Sequence, residues 1–147
     1  MKSMFNTEDR GSMLSRIDRV ASGAKPHWGK MNAELMLAHL VESVRMAVGE
    51  MTARPKKLPI RHFPLKQLIV YWLPFPKGSP TAPELLPKDT GTVDRNKGEL
   101  ARLLRLFAER AQETQWPEHP AFGKLTRQAW GVLVYRHFDH HLRQFGV

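Results

Sequence analysis

Three histidines, His137, His140 and His141, lie close together near the carboxyl end of the chain, in the segment "YRHFDHHLRQFGV". If this segment is helical, successive side chains are rotated by about 100°, so residues four apart lie one turn above each other. His137 and His141 then share an apolar face with Leu133 and Phe145, whereas His140 falls at the polar border of that face. The spacing therefore predicts one inward pair and one outward histidine.

Two neutral imidazoles at positions i and i+4 can direct their nitrogens at one metal ion. The alternative is a pair of buried core histidines that hydrogen-bond to neighbouring groups, and spacing alone leaves both interpretations open. A third histidine, His39 in "LMLAHLVES", lies beside an apolar stripe, and packing of an early helix against the last one would bring it opposite His137 and His141. Three nitrogens leave coordination positions open for water or substrate, as in catalytic metal sites.

Two polar residues are placed to support these ligands by hydrogen bonds. Glu42 lies one turn from His39, and Gln144 lies on the same side of the last helix as His137 and His141. The remaining histidines are in loops and are poorer candidates for ligands: His27, His62 and His119.

Other catalytic patterns are absent from the sequence. Phe138 occupies the position at which the zinc-protease motif His-Glu-x-x-His places its general base, and Asp139 points away from the histidine pair. We expect Asp139 to pair with Arg136 or Arg143 instead. No nucleophile elbow, phosphate-binding loop or dinucleotide fingerprint occurs, so the functional prediction depends on the histidines.

Composition limits the class of protein. The 147 residues fit one domain, 1–147, with enough apolar content (41%) for a continuous core. There is no cysteine, which leaves only nitrogen and oxygen ligands and suits the reducing cytoplasm. The net charge of +9 is scattered over the chain, so a solvated basic surface is a simpler interpretation than a nucleic-acid face. No secretion signal or membrane-spanning stretch is recognisable, and we expect no membrane partner.

Apolar periodicity predicts an all-α fold that must position these histidines. Capping residues and glycines bound five helical stretches, at about 7–23, 32–49, 64–74, 94–112 and 126–146. The third, "PLKQLIVYWL", is apolar nearly all round and is therefore expected to be buried. The proline-rich segment "PFPKGSPTAPELLPKDTGTV" separates it from the fourth, and we expect a loop that packs as a strap. Together these features predict a four-helix bundle with an additional short helix and a long proline-rich loop.

The segments "WGKMNAELMLAHL" and "HPAFGKLTRQAWGVLVYRHFDHHLRQFGV", with "FPKGSPTAPELLP" between them, resemble the DinB-like superfamily of metal-dependent proteins. The resemblance covers the chain from about Trp28 to its end, and is greatest to a branch of that superfamily described as a domain of unknown function. It implies a four-helix bundle, often dimeric, in which one histidine of the second helix and two of the last bind a divalent metal, commonly zinc or nickel. In this chain those residues are His39, His137 and His141.

The resemblance also suggests what such a site would do. Some relatives activate a low-molecular-weight thiol, as in thiol-dependent S-transferases and maleylpyruvate isomerases, and others are metal-dependent hydrolases. The expectation is therefore a metal-dependent hydrolase or S-transferase acting on a small-molecule substrate, with a homodimer as the assembly. A non-catalytic bundle with a binding or stress-associated role is the alternative, and a basic nucleic-acid binder ranks third.

Overall fold

A computed structural model of the chain describes residues 1–78 and 81–147. Helices account for the regular structure of these residues, and no strand is present among them. Their bounds are α1, Thr7–Asp18; α2, Ala33–Ala47; α3, Leu65–Gln67, continued by a π-helical turn, Leu68–Trp72; α4, Val93–Glu109; and α5, Arg127–Gln144. Within this part of the chain, no helix combines the length and the apolar character needed to cross a membrane.

The four long helices surround a common core. Helix α2 packs mainly on α4, α1 contacts α4 and α5, and α2 also contacts α5. The contact between α2 and α5 places His39 beside the last helix, as its position in the sequence predicts. The largest fully buried side chains come from all four helices and the amino-terminal segment: Met4, Met13, Ile17, Met36, Leu37, Leu40, Leu100, Leu103, Leu104, Phe107, Trp130 and Phe138.

Side-chain caps fix the starts of the long helices. The side-chain oxygens of Asn6, Asn32, Thr92 and Thr126 accept from backbone N–H groups three residues further on. Three of these caps, Asn6, Asn32 and Thr126, agree with the starts predicted from the sequence. Helix α1 ends earlier than expected, at Asp18 rather than near Gly23, because the chain turns through i to i−3 hydrogen bonds that bring Val20 into the core.

The third helical stretch differs from the prediction in both form and burial. It has three α-helical residues followed by a π-helical turn, and only Val70 of it is buried. Val70 packs with Phe122 and Leu133, whereas Phe63 and Trp72 on the outer side are 80% and 71% exposed. The expectation of a buried helix is therefore wrong, since no other element covers its outer apolar face in the described part of the chain.

The carbonyl groups of this π-helical turn are held by α5. The Arg136 guanidinium donates to the carbonyl oxygens of Ile69 and Val70, both at 2.6 Å, and also to that of Leu73. It also lies over the Phe75 ring, 5.0 Å from the centroid. These contacts join residues 59–75, which we call the outer arm, to the last helix.

The proline-rich segment contains a short 3₁₀ turn, Pro83–Leu85, that packs on α2. Leu85 is buried and Leu86 is 37% exposed, so only the first of these two leucines packs into the core. Residues 79–80 of this segment lie outside the described residues. The Pro83–Leu85 turn has a direct part in the site, because the Leu85 carbonyl contacts His39.

The α2 cap provides a test of how the helix carrying His39 begins. Replacing Asn32 by Ala removes the side-chain oxygen that accepts from the Leu35 N–H at 2.8 Å. We expect Asn32→Ala to lower the free energy of unfolding by about 1 kcal/mol, whereas Asn32→Asp, which keeps an acceptor, stays within about 0.5 kcal/mol of the wild type. Urea denaturation followed by circular dichroism measures both, and equal losses in the two variants would contradict the capping role.

Candidate metal centre

Helices α2 and α5 bring three histidines together at their contact. His39 comes from the middle of α2, and His137 and His141 come from successive turns of α5. The ring centroids of each pair are 4.9 Å apart. One nitrogen from each ring can be chosen so that all three lie within 4.8 Å of one another, a grouping that could hold a metal ion.

His39 is fixed by the Pro83–Leu85 turn. Its side chain is buried, and its Nδ1 lies 3.0 Å from the carbonyl oxygen of Leu85. A carbonyl can only accept, so Nδ1 must carry the proton. In the neutral ring, Nε2 is then left with a free lone pair, directed towards His137. The backbone of the proline-rich segment thus selects the tautomer that a metal ligand requires.

His141 is fixed in the same way from the other side. Its Nδ1 lies 3.0 Å from Oε1 of Gln144, and Nε2 of Gln144 donates to the carbonyl oxygen of Trp28 at 2.7 Å. That second bond orients the amide so that its oxygen accepts from the His141 Nδ1–H. Gly29 makes the approach possible, because a Cβ added there would lie 2.5 Å from Nε2 of Gln144 and its backbone has φ +79°.

His137 completes the group, with Nε2 3.0 Å from Nε2 of His39. Zinc binds imidazole nitrogens at about 2.0–2.1 Å, and in a tetrahedral site this corresponds to about 3.3 Å between pairs of nitrogens. The Nε2 atoms of His39 and His137 are slightly closer than this, and all three nitrogens of the group lie within 4.8 Å of one another. Small side-chain rotations are therefore enough to bring all three onto one ion, so the residues fit a divalent metal.

Burial keeps all three rings uncharged. Loss of hydration lowers the pKa of His39, and it lowers the pKa of His137 well below the usual range, with the neighbouring histidines adding to the effect. The same loss of hydration lowers the pKa of His141 to about 3, even though the hydrogen bond that its Nδ1–H donates to Gln144 acts in the opposite direction. Imidazoles must be neutral to bind a metal, so the site presents its ligands in the required state at neutral pH.

The supporting residues expected from the sequence fall in two different places. Gln144 contacts His141 directly, as described above. Glu42 makes no hydrogen bond to the three histidines: its carboxylate accepts from Arg45 at 2.7 Å, because the two lie one helical turn apart on a part-exposed face of α2. The sequence position of Glu42 predicts that it lies near His39. Its carboxylate instead forms an i, i+3 ion pair with Arg45.

The other residues around the cluster also have definite partners. Asp139 pairs with Arg143 at 3.0 Å, as expected, and with Arg16 of α1 at 2.7 Å. Arg136, the other partner considered for Asp139, holds the outer arm instead. His140 lies between the rings of Trp28 and Phe75, 6.0 Å from each, and so contacts aromatic residues rather than facing solvent alone.

A cavity of about 880 Å³ opens beside the three histidines. His119 lines it together with His39, His137, His140 and His141, although its loop position made it a poor candidate from sequence. Its Nδ1 accepts from the backbone N–H groups of Ala121 and Phe122, at 3.1 and 3.3 Å. In the neutral ring the proton is therefore on Nε2. In the sequence, the segment "HPAF" is the only signal of this turn. No pattern there predicts that His119 lines a cavity.

Fold and site together define an all-α protein with a buried group of three histidines that could hold a metal ion beside a large apolar cavity. The chain belongs to the family described as "Protein of unknown function (DUF1569)", whose model matches residues 2–146. No curated protein and no solved structure is significantly similar to this chain.

The lowered histidine pKa values predict a pH dependence of stability in metal-free protein. In the unfolded chain a histidine takes up a proton near pH 6.5, whereas folded His141 stays neutral down to about pH 3. Stability is therefore complete above about pH 6.5 and is lost as the pH falls from there towards 3. Each such histidine contributes a slope of about 1.4 kcal/mol per pH unit within this window.

We therefore expect His141→Gln to have a shallower loss of unfolding free energy between pH 6 and 5 than the wild type, by about 1 kcal/mol per pH unit. Urea denaturation in the presence of chelator measures this slope. Lys57→Gln, an exposed substitution that removes no histidine, should keep the wild-type slope. Identical slopes in His141→Gln and the wild type would contradict the neutral, buried state of this ring.

Proposed function

We propose that this protein binds a divalent metal ion, zinc or nickel, through His39, His137 and His141, and uses it for hydrolysis or for transfer to a small thiol. The observation that carries the proposal is the tautomer of two ligands. Nδ1–H of His39 and Nδ1–H of His141 are each held by an acceptor, so both Nε2 lone pairs are directed into the group. Three imidazoles suit zinc, nickel and other borderline metals.

The number of ligands favours a catalytic site over a purely structural one. No further histidine, cysteine, aspartate or glutamate of the described residues joins the group of three. Structural zinc sites are closed by four protein ligands, whereas catalytic ones keep a position for water or substrate. The adjoining cavity gives a small molecule access to that position.

Bound at this site, a divalent ion would supply Lewis-acid activation of water or of a thiol. The protein's own groups would do the rest. The Leu85 carbonyl and Gln144 hold His39 and His141 in the ligating tautomer, and the apolar cavity wall limits access of bulk water. His119, with its proton on Nε2, is a neutral hydrogen-bond donor on the same cavity wall, suited to an oxygen of the substrate.

The resemblance to the DinB-like superfamily supports the same proposal and its fold, a DinB-like four-helix bundle with an extra short helix. Within that superfamily the site would serve either a hydrolase or a thiol-dependent S-transferase. The residues around the cavity include no cysteine, so the thiol would have to come from a small molecule. The alternative is a non-catalytic binding protein, and the experiments below distinguish it from a metal-dependent enzyme.

We expect untagged wild-type protein to bind one equivalent of Zn²⁺ or Ni²⁺, and His137→Ala to weaken binding by at least about a hundredfold, since it loses one of three ligands. Isothermal titration calorimetry after chelator treatment, with elemental analysis of the purified protein, measures both. His62→Ala, which removes an exposed histidine of the outer arm, should bind like the wild type. Equal affinities in all three proteins would refute the site.

Cobalt substitution then separates a catalytic from a structural role. With three protein ligands, the visible spectrum of the Co²⁺ protein should change on addition of azide or of 2-mercaptoethanol, because an open position accepts the added ligand. An unchanged spectrum at saturating azide and thiol would support a closed site and the non-catalytic alternative.

We propose a homodimer as the assembly, as the resemblance implies. The supporting observation is a group of exposed large apolar residues on the outer arm, which we call the outer apolar patch: Phe63, Leu65, Leu68, Trp72 and Leu73. Monomeric proteins rarely expose large contiguous apolar surface, and a two-fold interface can use the same patch on both subunits.

Sedimentation velocity tests this assembly. The wild type should sediment with twice the 16.9 kDa mass of the chain, and the double variant Phe63→Ser, Trp72→Ser should sediment as a monomer. Leu86→Ser, which changes an exposed leucine outside the patch, should remain dimeric. A monomeric wild type at about 100 µM, far above the Kd of a stable dimer, would contradict the proposal.

A further inference from the structure

The cavity beside the histidines has a composition that the metal site alone does not require. Its volume, about 880 Å³, is within the range of small-molecule sites. Large apolar side chains form most of the wall, among them Trp28, Phe75, Leu85, Phe122 and Trp130. Such a wall would bind the apolar body of a ligand and would contribute little to holding a bare ion or a sugar.

The charged residues of the wall all have the same sign. Lys30 and Lys56 line the cavity, and no aspartate or glutamate of the described residues does. Lys77 adds a third cation close by, with Nζ 4.5 Å from the ring centroid of Trp28, which is itself part of the wall.

These lysines are also not neutralised by the protein. Lys30, Lys56 and Lys77 form no ion pair within 4.0 Å in the described part of the chain, although ten other ion pairs are present there. Glu84 is not part of the wall, and its carboxylate accepts from the backbone N–H of Arg54. The positive potential of the cavity is thus available to a ligand.

One neutral donor in the wall, the Nε2–H of His119, has no acceptor among the described residues. His119, whose ring lies 5.5 Å from that of Trp130, uses Nδ1 for backbone contacts, and no hydrogen bond is formed by its Nε2–H in the described structure. An acceptor oxygen from a bound molecule would satisfy this donor.

We propose that the cavity binds an amphipathic anion: a small molecule with an apolar aromatic or aliphatic body and one acidic group. The body packs on the aromatic and aliphatic wall, the acidic group is attracted by Lys30 and Lys56, and a further oxygen accepts from the Nε2–H of His119. This inference gives the substrate class of the metal site and rests on the proposed function for its catalytic meaning. Binding of the anion itself does not depend on the metal.

Two fluorescent probes with one ring system test the charge requirement. 8-Anilinonaphthalene-1-sulfonate carries a sulfonate, and N-phenyl-1-naphthylamine is the same skeleton without it. Titrated into the full-length wild type in chelator, the sulfonate should bind several times more tightly than the neutral probe. Its affinity should fall between 20 and 300 mM NaCl, while that of the neutral probe should not, because only the charged contact is screened.

Substitutions locate the site. Lys56→Gln should weaken binding of the sulfonate by about fivefold and leave the neutral probe unchanged, since an ion pair at a part-exposed site contributes up to about 1 kcal/mol. Lys57→Gln, which changes the exposed neighbour outside the wall, should match the wild type for both probes. Trp72→Ser, in the outer apolar patch, should also match the wild type and thereby exclude binding to that surface.

Several results would overturn the inference: no binding of the sulfonate, equal affinity for both probes, equal effects of Lys56→Gln and Lys57→Gln, or loss of binding in Trp72→Ser. The metal is tested separately in the wild type, by calorimetric titration of Zn²⁺ without the probe. Because the sulfonate is titrated in chelator, failure of the metal site and failure of the anion site give different patterns. Circular dichroism of each variant confirms that the fold is retained.

Discussion

Two hydrogen bonds donated by histidine Nδ1–H groups determine whether the contact between α2 and α5 can bind a metal. The Leu85 carbonyl accepts from His39, and Gln144 accepts from His141, each at 3.0 Å. Without them a buried imidazole could keep its proton on either nitrogen, and the lone pairs would not converge. With them, the polar groups of two deeply buried rings are satisfied on one side and available on the other.

The rest of the structure is arranged around these two acceptors. Gln144 is itself oriented by the Trp28 carbonyl, and the close approach at Gly29 leaves no space for a side chain there. The Pro83–Leu85 turn stays short because the prolines of the surrounding segment prevent a longer helix, and Leu85 packs in the core beside α2. Arg136 holds the outer arm against α5, where Ile69 and Phe75 form part of the cavity wall.

Sequence patterns predicted the elements whose signals are local. The caps Asn6, Asn32 and Thr126 and the apolar periodicity of α2, α4 and α5 are readable because each depends on neighbours within one or two turns. The same reasoning located the third helix but predicted its burial wrongly. Its apolar composition indicates burial, but whether an apolar segment is covered depends on which other elements reach it, and none of the described ones covers its outer side.

The candidate site was likewise predicted from the sequence only in part. The sequence by itself determined that His137 and His141 face one way, because helical geometry fixes residues four apart on a common face. It also supplied His39 as the third member, through its place beside an apolar stripe and through the family resemblance. Only the tertiary structure decided which groups support the ligands: a backbone carbonyl from the proline-rich segment has no sequence signature, and Glu42 prefers an ion pair with Arg45. The inclusion of His119 and the lysines in one cavity was likewise decided by packing, since they lie in separate loops that are brought together only when the helices close on the core.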